Sequence, residues 1–500
     1  MTPTVADRYA NWKAPAQDGD LLVWPAPAQL LQQTRDNHVA LTAADGCRIQ
    51  NVPLPVLRRQ MREWLGHPDG LPMVATGHQT ELYHPGVWVK DALTNAVADQ
   101  LGGVAVHVAV DTDHPKHLDL RWPGSTIAVT DDLALRTAPW SGQLAPPTPA
   151  HLEQIDRALT DTAFSFQPML PTVLASLRRQ SVEGHGLSAV LTNAQHELDW
   201  DLGLRHRALL ASPLMASAAY LSFVHHVLAR ADDFAARYNA ALAAYRGENG
   251  ITSLTRPMPD LRSTDAEVEV PFWLDDLAAG TRGRAGVVRA DAGWALSVAG
   301  DRFPLDPAAD GPAAADALGA WLSERNLRLA PRALTLTTFL RLLVVDQFVH
   351  GIGGGRYDQV TDRLLASHFG IDPPRFAVTT ATLIFPAAVG QPRVCVPCVA
   401  QEGHRLRHSL LGDRKRPILD AMNALPRRSL QRLTAFHNLH GALSAAAVDH
   451  PALREWSDRY AATLRAEREE QVLFDRELFY AVQTRERLTD MIERYRQQFA

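Results

Sequence analysis

Three clusters of polar residues have the types and spacing to do chemistry. The first is TGHQTELYHPGVWVK, residues 76–90. Thr76 and Gly77 offer backbone N–H groups to an anion, since glycine has no Cβ to block the approach. Gln79 and Gly86 belong to the same turn. Pro85 suits the first position of a helix, and a histidine beside a helix start, His84, can donate to a phosphate or a developing oxyanion. His78 is a second such donor, and Lys90 adds a positive charge on the helix. The second cluster, Asp111, Asp113, His114 and His117, follows the apolar run VAVHVAV. Alternating acids at a strand end suit recognition of an amine, a hydroxyl or a metal. The third is HGIGGGRYDQVTD, His350 to Asp362. Its Gly353, Gly354 and Gly355, followed by Arg356, Tyr357 and Asp358, read as a glycine-lined ligand turn. It lacks the Lys-Ser/Thr of a P-loop, and Arg356 stands where a dinucleotide fingerprint has its last small residue.

Two further motifs take plainer readings. Cys395 and Cys398 form a CxxC with His404 and His408 downstream, a spacing compatible with zinc. One CxxC in a Pro-rich loop falls short of a zinc site, so two idle thiols and no metal are expected. No βαβ pattern places the pair at the helix start that a thioredoxin-like role needs. The basic stretch HRLRHSLLGDRKRP, residues 404–417, reads as a solvated surface rather than a mobile phosphate-contacting loop.

The elements around the clusters are α/β. Residues 71–130 predict strand, turn, helix and strand, with Val87, Ala92 and Val97 along the helix and Gly102-Gly103 ending it. Both polar clusters there follow strands, where open α/β sheets bind ligands. The expected divisions are 1–70, an N-terminal segment, irregular at first and then helical around Leu54 to Leu65; 71–150, the first half of the core; 151–250, a helical insertion; 251–315, a small β insertion; 316–400, the second half of the core, with the glycine turn preceding a helix from Tyr357; and 401–500, the basic loop and a helical arm. In the arm, apolar residues recur at intervals of three, four and seven, through Trp456, Tyr460 and Leu464 and on to Leu488, Ile492, Tyr495 and Phe499, as in a coiled coil. A homodimer through these helices is expected.

Composition sets limits. A net charge of −5 argues against a nucleic-acid-coating surface. No apolar run is long enough for a transmembrane helix, and MTPTVADRYANWKAP has no signal-peptide core, so neither a membrane nor a nucleic acid is expected as partner. Three cysteines in 500 residues form no disulfide framework, which fits a reducing cytoplasm.

Two blocks, residues 74–114 and 329–378, resemble the cysteine-adding enzymes of bacillithiol synthesis. The likeness lies in the TG-x-Q turn, the Gly-containing helix start with Trp88 and Lys90, the acidic-His cluster after the next strand, and the Arg-Pro, Gly-rich and FG-x-x-x-P segments. His84 stands where that family has small residues, and Arg356 where it has an acid. The resemblance implies a Rossmann-like core of the class I synthetase and nucleotidyltransferase kind, with helical and small β insertions and a C-terminal coiled-coil arm. It implies that Thr76, Gly77, Gln79, His84, Gly86, Lys90, Asp111, Asp113 and His114 line a site, closed by Gly353, Gly354 and Tyr357. The expected function is a ligase or transferase joining an amino acid or similar small molecule to a small, sugar-derived acceptor, with ATP or another nucleotide as the candidate cofactor. His78 and His84 would stabilise phosphate or oxyanion charge, Asp111 and Asp113 would hold an amine or hydroxyls, and Lys90 and Arg356 would supply positive charge. The alternative is a catalytically inactive nucleotide- or sugar-binding dimeric scaffold. Either way, Thr76–Gln79, His84, Asp111–His114 and Gly353–Tyr357 should border one cleft.

Overall fold

The computed structural model describes residues 12–500 apart from 68–69, 163, 183 and 291–292. The opening residues 1–11, part of the segment read above for a signal peptide, lie outside the described residues. The chain divides into two units, one of residues 1–121, 125–386 and 476–500, the other of 122–124 and 387–475.

In the first unit the strands of the two larger sheets are β1 (Leu21–Trp24), β2 (Met73–Gln79), β3 (Val104–Val110), β4 (Arg207–Leu210), β5 (Glu267–Asp276), β6 (Thr281–Ala290), β7 (Gly293–Val298), β8 (Asp301–Leu305), β9 (Leu327–Pro331), β10 (Gln347–His350) and β11 (Ala377–Ala381). Six of them form one sheet in the order β1-β11-β10-β2-β3-β4. All its pairs are parallel except β1 with β11. The chain runs outward from β2 through β3 to β4, then returns to the other side of β2 for β10 and β11. The order therefore reverses between β2 and β10, and in open α/β sheets that reversal opens a crevice at the carboxyl ends of the strands.

Parallel strands buried on both faces need continuous apolar runs, and VAVHVAV in β3 supplies one; the run ALTLTTFLRLLVV ahead of β10 is instead helical, over Ala333–Phe339 and Leu340–Val344. The helices α1 (Pro85–Leu101) and α2 (Ile352–His368) leave the ends of β2 and β10. Pro85 starts α1, and Gly102, at φ +60°, ends it in the left-handed conformation that glycine adopts most readily. The β insertion is an antiparallel sheet in the order β8-β7-β6-β5-β9, so it takes in β9 beyond the expected 251–315.

Three expectations need correction. The N-terminal segment has the expected helix, Leu54–Trp64, but the stretch before it is not irregular: it supplies β1 and the helix Pro27–Thr42. The glycine cluster is not a turn ahead of a helix, because α2 already begins at Ile352 and the glycines form its first turn. The expected arm does not run to the C-terminus. Residues 476–500 belong to the first unit, where Tyr480 stacks on Trp88 at 5.1 Å and the Tyr495 hydroxyl lies 2.6 Å from Thr379 Oγ1. The apolar stripe of that segment, Leu488, Ile492 and Tyr495, is buried there.

Buried neutral histidines are part of this unit's packing. His226 Nδ1 accepts from the Gln50 backbone N–H at 2.9 Å, and burial pushes this imidazole down to about 2. His206 Nδ1 lies 3.2 Å from the Asn95 amide, and burial pushes it down to about 4. An unfolded histidine takes up a proton below about pH 6.5, whereas these two stay neutral in the fold. Stability is therefore complete above that pH and is lost as the pH falls toward the two folded values. At pH 5 each histidine accounts for about 2 kcal/mol of the loss. The melting temperature should drop between pH 7 and pH 5, and His206→Gln with His226→Gln should flatten the profile. A melting temperature constant across that range would contradict this reading.

The second unit is helical: α3 (Val396–Ser409), then Lys415–Asn423, Leu430–Ala447 and Pro451–Leu473. Its small core is Leu411, Leu439 and Leu443 with Ile418 and Leu419 against them. Trp456 lies against Gly403, where a Cβ would sit 2.1 Å from the indole, and its ring N–H donates to the Val399 carbonyl at 2.7 Å. The basic stretch 404–417 runs from α3 into the next helix, with its arginines and lysine exposed or partly so. Cys395 and Cys398 are joined as a disulfide rather than standing as idle thiols, and Cys395 caps the start of α3. That helix start is not legible from the residues alone, because the Pro-rich run before it resembles a loop, yet Pro397 occupies a first-turn position where proline is well tolerated. Among the described residues no helix is long and apolar enough to cross a membrane, and no His/Cys/Asp/Glu group is arranged to hold a metal ion.

Candidate functional site

Helices α1 and α2 begin on opposite sides of the β2/β10 reversal, and both first turns open on one cavity of about 570 Å³. His78, His84 and Gly86 line it from the first block, and Gly353, Gly354 and Arg356 from the second. Gly77 and Lys90 also reach it. The unpaired N–H groups and partial positive charge of two helix starts thus face the same space. Lys13 and Arg476 add to the wall, against one carboxylate, Glu477. The balance favours an anion.

His84 is the N-cap of α1. Its Nδ1 accepts from the Gly86 N–H at 3.1 Å. An accepting Nδ1 carries no proton, so the proton of the neutral ring sits on Nε2 and is available to donate. Burial pushes this imidazole down to about 3, and the Arg476 guanidinium acts in the same direction. Gly86 must be small: a Cβ there would lie 2.6 Å from Thr380 Oγ1 and 2.7 Å from Arg476 Nη2. Arg476 in turn donates to Thr380 Oγ1 at 3.2 Å.

His78 Nε2 lies 2.7 Å from Glu81 Oε1. Burial pushes the Glu81 carboxyl up to about 7, opposed by His117, Lys116 and Lys90. Burial also holds His78 well below its ordinary value, helped by Lys90. Both directions favour the uncharged pair, so an acid with a near-neutral pKa stands behind a cavity-lining histidine. That is the usual setting of an acid–base group. Lys90 is 3 % exposed, and its Nζ donates to the Gly77 carbonyl at 2.7 Å. Burial pushes its amine down to about 8.

A second cavity, of about 220 Å³, shares Gly77, His350 and Gly354 with the first. Gln79, Asp113 and Tyr357 line it together with Trp273 and Arg332 of the β insertion. Gln79 Nε2 donates to the Asp113 carboxylate. Asp358 also borders this cavity, but its Oδ2 is taken up by Arg341 at 2.7 Å and by His350 at 2.8 Å. Burial alone would raise this carboxyl, yet Arg341 and His350 bring it down to about 2. Asp358 thus holds His350 and Arg341 through this oxygen.

Other expected residues take different places or roles. Thr76 and Gly77 do not form an anion-cradling turn, because β2 continues to Gln79 and pairs Thr76 with His107 and Gly77 with Val108. Thr76 Oγ1 donates to the Val349 carbonyl at 2.8 Å and ties β2 to β10. Asp111 accepts from the Ser212 N–H at 2.8 Å and from its hydroxyl at 2.5 Å, which fixes the end of β4. His114 Nδ1 sits 2.8 Å from the Ala138 carbonyl. Gly355 packs under Val378 and Trp12, where a Cβ would be 2.5 Å from Val378 Cγ2. Thr76, Asp111, His114 and Gly355 border neither cavity. Sequence reasoning missed Glu81, His350, Thr380 and Arg476. His350, directly before GIGGG at a strand end, was the most readable of these; Arg476 carries no local signal.

Compared with models of protein families and with curated proteins, the chain matches none.

Proposed function

We propose that the first unit is an enzyme of the ligase or transferase type. It binds a phosphate-bearing or otherwise anionic small molecule between the starts of α1 and α2, and joins an amino acid or similar small molecule to a small, sugar-derived acceptor. The observation that carries this reading is the convergence of two helix starts, with Arg476 and the Nε2–H of His84, on one cavity at the strand-order reversal. The strand order supports a Rossmann-like core. In this reading the helix starts, Arg476 and His84 hold anionic oxygens. His78, its Nε2 paired with Glu81, stays neutral and donates from its other ring nitrogen to phosphate or oxyanion charge. Asp113 and Gln79, across Gly77, hold the partner substrate. The resemblance to the cysteine-adding enzymes agrees with this assignment, and ATP or another nucleotide is the candidate anion.

The experiment is a thermal-shift screen of nucleotides, amino acids and hexosamine derivatives, followed by mass spectrometry for a joined product from the pairs that bind. Binding to the native state alone raises the melting temperature by mass action. Binding with product formation supports the enzyme; binding with no product in any pair selects the inactive scaffold.

The second unit is proposed to pair two copies of the chain as a coiled-coil-like arm. Leu430, Leu433 and Phe436 are 82 %, 51 % and 46 % exposed on one helix, which favours burial against a partner. Sedimentation should show a dimer for the full chain and a monomer for Leu433→Glu with Phe436→Glu. A monomeric parent chain would contradict it.

A further inference from the structure

The CxxC belongs to the helical unit, and neither cysteine is among the residues lining the two cavities. Cys395 and Cys398 are disulfide-bonded to each other and both are exposed. Cys395 is the N-cap of the 14-residue helix α3, and its Sγ accepts the Cys398 backbone N–H at 3.2 Å. The approach to the pair is fixed within the same unit: the Val394 N–H donates to the Glu470 carboxylate at 2.9 and 3.0 Å, and the Arg393 guanidinium lies over the Phe474 ring at 4.5 Å. The remaining cysteine is a contrast. Cys47 is buried, and burial pushes its thiol up to about 11.

We propose that Cys395 and Cys398 form a thiol–disulfide exchange site for low-molecular-weight thiols and their disulfides, with Cys395 as the attacking sulfur and Cys398 as the resolving one. A bond that closes so short a loop constrains little of the unfolded chain, so holding the fold together does not account for it. An exposed disulfide is open to thiolate attack, and a helix start together with the Cys398 N–H stabilises negative charge on Cys395. In the oxidising direction the Cys395 thiolate attacks one sulfur of a disulfide RSSR. A Cys395–S–S–R bond forms, and RS⁻ leaves and takes a proton from water. Cys398 then loses its proton to solvent and attacks Cys395 Sγ, which forms the intramolecular disulfide and expels the second RS⁻. The dithiol is oxidised by two electrons and RSSR is reduced to two RSH. The reverse sequence, with two RSH as reductant, reduces the pair.

The test uses the full-length folded chain in glutathione buffers of graded reduced-to-oxidised ratio, quenched by alkylation and read by mass. The expected result is a reversible shift between a form carrying no added groups and a form carrying two, both located on residues 395 and 398, while Cys47 stays unlabelled. In single-cysteine variants, Cys395 in C398S should alkylate at pH 6.5 at least about tenfold faster than Cys398 in C395S. A pair that stays fully oxidised in excess reduced glutathione, or fully reduced in excess oxidised glutathione, overturns the proposal. So do equal alkylation rates in the two variants. If either variant fails to fold, the titration of the parent chain decides alone.

Discussion

His84→Ala is expected to lower turnover by about 10²–10³-fold, the scale of removing one oxyanion donor. The ring holds two positions at once. Nδ1 caps α1 through Gly86, and the proton this leaves on Nε2 is the one available to a ligand. Loss of the cap should reduce stability by only about 0.5–2 kcal/mol. The two roles separate in His84→Asp. A carboxylate caps a helix start well but repels a bound anion, so this variant should keep its melting temperature and lose ligand affinity. A large fall in melting temperature with affinity intact, in both variants, would make His84 a packing residue.

Asp346→Ala should be the most destabilising single change in the first unit. Asp346, 1 % exposed, accepts from Arg58 Nη2 at 2.7 Å, from Arg62 Nη2 at 2.6 Å and from the Met73 backbone N–H at 2.8 Å. Burial alone would raise its carboxyl, but His38, Arg58 and Arg62 hold it far below the usual carboxylate range. Removing it leaves two buried guanidinium groups without their counter-charge, a loss of about 3–5 kcal/mol. It also removes one of the two hydrogen bonds between Met73, the first residue of β2, and the residue that enters β10, leaving only the backbone bond to the Met73 carbonyl. Chemical denaturation should show the loss as an earlier midpoint at unchanged slope. A midpoint within experimental error of the parent would mean that the arginines find other partners.

The parts of the fold that were legible in the sequence are those set by local patterns. β2, α1 and β3 follow from apolar runs, Pro85 and Gly102, and the β insertion from alternation broken by glycine. The same patterns located His78, His84, Gly353 and Gly354 at strand-to-helix junctions. Partnership was not legible. Asp111, at the end of a strand, looks like a ligand contact until Ser212 arrives from about a hundred residues away to occupy it. Glu81 was passed over as one polar residue in a loop, and only burial beside His78 gives it a near-neutral pKa. Arg476 enters the site from a segment whose heptad-like spacing matches a coiled coil, because an amphipathic helix packing onto its own domain has nearly the same period as one packing onto a partner. The CxxC was misjudged for a related reason: proline marks loops and first helical turns alike.

The space between the starts of α1 and α2 is expected to hold an anion. Gly353 tests it most directly, since it lines that cavity and a Cβ built there meets nothing within 4 Å. Gly353→Asp puts a carboxylate in the first turn of α2, which suits the helix and opposes a bound anion. Titration calorimetry with ATP and with inorganic pyrophosphate on the parent chain, Gly353→Asp and Arg476→Ala is the measurement. Binding to the parent is expected, with at least about a tenfold weaker binding to both variants, about 1.4 kcal/mol or more, and the melting temperature of Gly353→Asp unchanged or raised. Equal affinity in all three proteins, or no binding of either anion to the parent, would contradict it.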